Sequence, residues 1–237
     1  MDLKMLFLLA GGMLVSASSV DKHRLVAGLF ENYDKRIEPF DDDYPLDVKM
    51  DLTLIEIMDI DETKQVMTTH SWITLKWVDA RLAWQPEHFG DVTDLRIPSD
   101  MIWTPDLTLK NTVELNNQLL PGGQNNAILL SSGEVILVYQ AILKTSCRVD
   151  LSYFPMDQQM CRISFHSWSY TGDKLNVTNG AGEPGDLNEY ISNMEWILLS
   201  YEKSRDTTFY TCCPEPYITL NFDVVLRRRP CSSWSIS

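Results

Sequence analysis

Cys147-Arg148-Val149-Asp150-Leu151-Ser152-Tyr153-Phe154-Pro155-Met156-Asp157-Gln158-Gln159-Met160-Cys161 sets two cysteines around thirteen residues. A disulfide closing a loop of this size stabilises a fold by roughly 3 kcal/mol on the chain-entropy model. Tyr153-Phe154-Pro155 inside the closed ring predicts a cis-proline turn. The spacing also excludes the immunoglobulin framework, whose cysteines lie much farther apart and straddle a core tryptophan.

On both sides of this loop the chain reads as strands. Val48, Met50, Leu52 and Leu54 alternate with Lys49, Asp51 and Thr53, which gives one buried and one wet face. Ile73, Leu75 and Trp77 share a face in the stretch 70–77, and Trp72 falls on the opposite, polar face with Thr74 and Lys76. A tryptophan there requires a covering surface or a site. Further strands are expected at 128–130, 134–143, 162–168, 195–202 and 218–227, with turns at 59–64, 122–123, 131–133 and 180–185. One helix is expected over 21–37, capped by Asp21, with Leu25, Leu29 and Tyr33 at four-residue spacing and Pro39 ending it. Short strands at regular intervals predict a mainly β chain, an antiparallel β-sandwich following an N-terminal α-helix.

Residues 1–19 read as a secretory signal peptide: Lys4, an apolar run over 5–15, then Ala17, Ser18 and Ser19. That run is too short to span a bilayer, and no later stretch reaches the roughly 20 apolar residues a spanning helix needs. The expectation is a soluble, secreted, extracellular protein. Residues 20–229 form its one domain and 230–237 a C-terminal tail. Asn176-Val177-Thr178 is a glycosylation sequon, consistent with that route. The net charge of −13 makes nucleic acid and anionic membrane poor partners and would attract a small cation. Five cysteines suggest two disulfides and one odd thiol.

Nothing in the sequence points to an enzyme, a cofactor or a metal. His23, His70, His88 and His166 form no metal spacing, and no His-Glu-x-x-His, Gly-x-Ser-x-Gly or phosphate-loop pattern occurs. Asp41-Asp42-Asp43 and the turn with Asp59, Asp61 and Glu62 offer oxygen ligands for calcium but lack the EF-hand spacing.

The most unusual stretch is Tyr210-Thr211-Cys212-Cys213-Pro214-Glu215-Pro216-Tyr217. Adjacent Cα atoms stand about 3.8 Å apart, below the usual disulfide span. A bond between Cys212 and Cys213 would therefore make a rigid knuckle between two aromatic rings, whose faces attract organic cations. On residues alone the other reading stands beside it: the cysteines pair elsewhere or stay free, and the tyrosines simply pack.

Taken together these motifs resemble the Cys-loop family of pentameric ligand-gated receptors. The thirteen-residue loop with Phe154-Pro155-x-Asp157-Gln158-Gln159 resembles the family signature, and Cys212-Cys213 resembles the nicotinic acetylcholine receptor branch. Supporting matches are Ile57-Met58-Asp59-Ile60-Asp61-Glu62, Trp72 with Trp77-x-Asp79-x-x-Leu82-x-Trp84, Trp103-x-Pro105-Asp106, and Ser167-Trp168-Ser169-Tyr170. The resemblance implies a sandwich of about ten strands, a homopentameric ring and a ligand site between neighbours. Trp168, Tyr210, the Cys212–Cys213 knuckle and Tyr217 would form the principal face. Trp72 of the next subunit, with side chains near Ile128, Ile136 and Val138, would form the complementary face. Asp186 and Glu189 fall on the acidic loop bordering the site in the family. The implied ligand is acetylcholine, a nicotine-like alkaloid or another amine, held by aromatic faces worth about 0.5–2 kcal/mol each. A tail in place of a transmembrane helix resembles the secreted acetylcholine-binding proteins; the alternative is the extracellular domain of a nicotinic-type channel subunit.

Four positions depart from the family pattern. Lys110 stands where a tyrosine usually follows Trp103-x-Pro105-Asp106. An ammonium inside a cation cage would repel the ligand by about 4 kcal/mol at 4 Å and an effective dielectric of 20. The expectations are that it bends outward to an acidic partner, that the ligand is not acetylcholine, or that the loop is locally shifted. Ser164 and Thr219 stand where a lysine and an aspartate commonly hold the hydroxyl of the first tyrosine. Met156 replaces a frequent aromatic in the loop that faces the membrane domain in receptors.

Overall fold

The computed structural model describes residues 19–39, 44–114, 125–180, 184–211 and 213–230, and of Cys213 only the backbone. The leader through residue 18, Cys212, Cys231, the rest of the tail and the acidic run 41–43 lie outside the described residues. Among the described residues one α-helix, α1 (Ser19–Phe30), precedes ten strands: β1 (Leu46–Asp61), β2 (Val66–Val78), β3 (Asp94–Pro98), β4 (Leu107–Leu109), β5 (Asn126–Leu130), β6 (Glu134–Ser146), β7 (Gln158–Ser167), β8 (Leu175–Thr178), β9 (Trp196–Tyr210) and β10 (Cys213–Arg228). They form a six-stranded sheet in the order β3-β5-β6-β2-β1-β8 and a four-stranded sheet in the order β4-β7-β10-β9. The pairings are antiparallel except β1 with β8.

Alternation along the strands produces the two layers. Val48, Met50, Leu52 and Leu54 are buried, as are Ile73, Leu75 and Trp77, and across the sandwich Ile218, Leu220, Phe222, Val224 and Leu226. Aromatic rings pack edge to face in the core, Trp77 with Trp103 at 6.1 Å and, between neighbouring strands of the four-stranded sheet, Phe165 with Phe222 at 5.9 Å between centroids. Tyr201 stacks on Phe222 and donates its hydroxyl to the Leu52 carbonyl of the opposite sheet at 2.7 Å. Cys147 and Cys161 are bonded, with Phe154-Pro155 cis between them.

The helix is shorter than its periodicity suggests. It ends at Phe30, and Tyr33 sits on a following turn. Asp34 accepts from the Arg36 backbone amide at 2.9 Å, an Asx-type bond that competes with helix continuation. Tyr33 is also committed elsewhere: its hydroxyl donates to Asp79 at 2.9 Å and accepts from the Trp103 amide at 3.0 Å. Asp79 is fully buried, caps the 3-10 turn Ala80–Leu82 and pairs with Arg81. The Trp77-x-Asp79-x-x-Leu82-x-Trp84 motif is therefore a structural anchor for the helix-to-sheet junction.

Candidate functional site

Three loops converge at one end of the four-stranded sheet. β7 ends at Ser167, and Trp168 follows with 77% of its surface exposed. Asp106 fixes this turn. Its carboxylate accepts from the Ser167 hydroxyl and from the Ser169 backbone amide at 2.7 Å, while Ser167 Oγ accepts from the Tyr170 amide at 2.9 Å. Farther on, the Gly172 amide donates to the Pro216 carbonyl at 2.6 Å and draws the turn onto β10. A Cβ on Gly172 would stand 3.0 Å from the Ile218 side chain, so a bare backbone suits this approach.

Tyr210 closes β9 and Tyr217 lies on β10, with a register irregularity between Cys213 and Pro216. The hairpin brings the two rings edge to face, 5.3 Å apart at 71°. Of the knuckle, Cys212 and the Cys213 side chain lie outside the described residues, so the expected vicinal bond remains an expectation. Beneath Trp168, His166 meets its ring edge to face at 5.8 Å. Burial, aided by the charge of Lys110, pushes the His166 imidazole below its ordinary pKa, so the ring is neutral near pH 7.

Lys110 does not turn to a carboxylate. Its backbone amide donates to the Ser164 carbonyl at 2.7 Å, and its ammonium donates to Thr219 Oγ1 at 3.2 Å. Among the described residues no carboxylate lies within ion-pair distance of it. The expected acidic partner is thus replaced by a hydroxyl. Ser164 bonds to Asn221 at 2.8 Å, and Asn221 donates to Asp206 at 2.7 Å.

The complementary residues share the outer face of the six-stranded sheet. Trp72 lies opposite Gln140, Thr74 opposite Val138, and Lys76 opposite Ile136, which in turn lies opposite Ile128. Residues directly paired across antiparallel strands point to the same side. Trp72, Ile128, Ile136 and Val138 therefore form one strip, with Trp72 half-buried and Val138 exposed. On its other side Trp72 is paired with Thr53, whose hydroxyl donates to Asp186 at 2.9 Å. The acidic loop consequently sets Asp186 one strand away from the Trp72 ring; Glu189 lies on the exposed turn beyond it.

Within one chain the principal and complementary groups belong to different sheets, one group on each. Asn176 is on β8, where its amide nitrogen donates to Asp47 at 2.6 Å and its oxygen accepts from Arg205 at 2.8 Å. Asp61, the last residue of β1, is held by Lys64, and Glu62, in the turn that follows, by Arg228. No helix among the described residues is long and apolar enough to cross a membrane.

Sequence reasoning left two contributors without a role. Asp106 stood in a quoted motif, and only its contacts show that it holds the Trp168 turn. His166 lies near the end of β7, and its ring contact with Trp168, just past the strand, is seen only in the fold.

Comparison with known proteins agrees with this architecture. A family model described as the neurotransmitter-gated ion-channel ligand binding domain matches residues 22–230. The chain is 38% identical over 208 residues to the neuronal acetylcholine receptor subunit alpha-10 of Rattus norvegicus, covering 87% of this chain and 46% of the relative. It is 38% identical over 212 residues to an alpha-type acetylcholine receptor subunit of Caenorhabditis elegans, covering 89% and 42%. An alpha-like acetylcholine receptor subunit of Manduca sexta is 36% identical over 222 residues, with 90% and 43% covered. The chain therefore spans less than half the length of these relatives. These relatives are receptor subunits rather than enzymes, and the chain belongs to the neurotransmitter-gated ion-channel ligand-binding domain family, with the Cys-loop disulfide and two-sheet sandwich in place.

Proposed function

We propose that this chain is the extracellular ligand-binding domain of a nicotinic-type receptor subunit. It holds a small organic cation between an aromatic cage on one copy and the Trp72 strip of the next. The observation that carries the reading is the convergence of Trp168, Tyr210 and Tyr217 at one loop end. An exposed indole on a turn held by a hydrogen-bond clamp is poorly explained as core packing. A cation is held well by ring faces, because pairing it with a buried carboxylate would carry a large desolvation cost. The ring of five copies, the knuckle bond and the glycan at Asn176 belong to the same proposal.

The receptor alternative has more support than the soluble, secreted binding protein expected from the tail. Its relatives are receptor subunits. The Cys-loop tip also presents Leu151, Tyr153, Phe154 and Met156 to solvent, with Tyr153 79% and Met156 68% exposed. An apolar cluster of that kind suits a partner surface, and in receptors this loop faces the membrane domain. The test is titration of the assembled full chain with a panel of cholinergic and amine ligands, read by tryptophan fluorescence and calorimetry. Saturable quenching that Trp168→Ala removes supports the reading. A monomer indifferent to every amine overturns it.

A further inference from the structure

The floor of the cage carries a positive charge. Among the described residues Lys110 Nζ donates one hydrogen bond, to Thr219 Oγ1 at 3.2 Å, and an ammonium has three N–H donors. Thr219 is paired with His166 across β7 and β10, so the ammonium lies in the row of these two residues. Tyr217 stands two positions along β10 from Thr219, in the next row of that face, and Trp168, just past the end of β7, meets His166 edge to face at 5.8 Å. Two carboxylates stand near it and neither pairs with Lys110: Asp106 is held by Ser167 and Ser169, and Asp206, opposite Thr219 on β9, accepts from Asn221.

A simple cation in the ring row feels this ammonium directly. One two-residue step along a strand is roughly 7 Å. At that separation and an effective dielectric of about 20, the repulsion weakens a monovalent cation on the order of 50-fold. A ligand that carries its own anion reverses the sign. Neighbouring rows along a strand are roughly 7 Å apart, so a ligand whose carboxylate sits close to its ammonium can span from the rings to Lys110.

We propose that the ligand of this site is a zwitterion of the betaine class, its ammonium against Trp168, Tyr210 and Tyr217 and its carboxylate on Lys110. This deepens the cage reading above and rests on it. Lys110 is then a specificity-determining residue, since it selects against cations that lack an acceptor group.

Glycine betaine and choline share a trimethylammonium head and differ in carboxylate against hydroxyl, so the pair isolates the effect of Lys110. Both are titrated calorimetrically into the assembled full chain, with circular dichroism and size-exclusion chromatography confirming fold and assembly of each variant. The expected result is betaine binding at least tenfold tighter than choline. Lys110→Gln is expected to abolish that preference, weakening betaine and strengthening choline, and Lys110→Arg to retain it. Choline binding as tightly as betaine, or an unchanged ratio in Lys110→Gln, overturns the proposal. In that case, choline binding that is lost in Trp168→Ala leaves the cage reading intact. If neither compound nor any other amine binds, both readings fall together. Should Lys110→Gln not fold, the wild-type ratio and the Lys110→Arg ratio decide.

Discussion

Arg228, at the end of β10, grips Asp157 of the Cys-loop with both ends of its guanidinium, Nε to Oδ1 at 2.7 Å and Nη2 to Oδ2 at 3.0 Å. The Asp157 side chain is buried, and Gln159 donates to it at 2.7 Å. The same guanidinium reaches Glu62 at 2.9 Å and lies over the rings of Trp196 at 4.3 Å and Phe154 at 5.1 Å. One side chain thus ties the Cys-loop, the turn after β1 and the start of β9 together. Arg228→Gln leaves a buried carboxylate without its cation and should lower stability by about 3 kcal/mol, seen as a reduced urea midpoint at pH 7. An unchanged midpoint would show the cluster to be solvated.

The same pair sets an acid limit. The hydrogen bonds from Arg228 hold the Asp157 carboxyl below the usual carboxylate range, against the opposing effect of burial. A carboxylate depressed in the fold stabilises fully above its unfolded pKa and loses that contribution as pH falls through the folded value. Stability should therefore fall below about pH 4. In Asp157→Asn the part of this slope due to Asp157 should be missing, as measured by denaturation from pH 7 to pH 2.

At the opposite end Tyr33 predicts an alkaline limit. Its hydroxyl joins Asp79 and the Trp103 amide, and burial is the main cause raising its pKa to about 12. A phenol raised in the fold contributes stability that is intact below its unfolded pKa near 10 and lost as pH climbs through about 12. Tyr33→Phe should cost about 1 kcal/mol at pH 7 and flatten the stability profile between these values. A parallel profile in the variant would assign the alkaline loss to other tyrosines.

Asp106 predicts a loss of binding without contact to ligand. Asp106→Ala removes both acceptor oxygens, so the Ser167 and Ser169 bonds are both lost. Trp168 would then sample other positions, and amine affinity should drop about tenfold, the equivalent of one ordinary hydrogen bond. Calorimetric titration measures it, and the Tyr210–Tyr217 edge contact should survive because it is built by the hairpin. Equal affinity would mean that the turn holds its shape without the clamp.

Much of this architecture was legible because alternation reports burial directly. The inward sets on β1, β2 and β10 follow from period-two patterning, and the Cys147–Cys161 loop from spacing. The helix end was not legible, because Leu25, Leu29 and Tyr33 keep a helical spacing that the Asp34–Arg36 turn interrupts and Asp79 exploits. Strands β3, β4 and β8 are three to five residues long, too short for alternation to register. The aromatic residues of the proposed site were drawn from motifs. The orientation of Lys110 was not legible: a side chain with four rotatable bonds takes its direction from tertiary neighbours, here Thr219 from a strand more than a hundred residues away.

A site shared between copies makes a prediction that no single-chain pocket could meet. Trp168 lies at the end of the four-stranded sheet and Trp72 on the outer face of the six-stranded one, so each would enter a different interface. Trp168→Ala or Trp72→Ala, each prepared alone, should weaken amine binding on the order of tenfold or more at every interface, since each removes one aromatic wall. Denatured together and reassembled, the two variants should regain part of the high-affinity sites. Where a Trp72→Ala copy supplies the principal face and a Trp168→Ala copy the complementary face, both tryptophans are intact. For random mixing at equal amounts that arrangement arises at about a quarter of interfaces, one of four equally probable ordered neighbour pairs. Calorimetry of the mixed assembly should therefore show a tight phase of about that stoichiometry, absent from either parent. No tight phase, in mixed rings verified by mass, would place both tryptophans in sites that do not cross between copies.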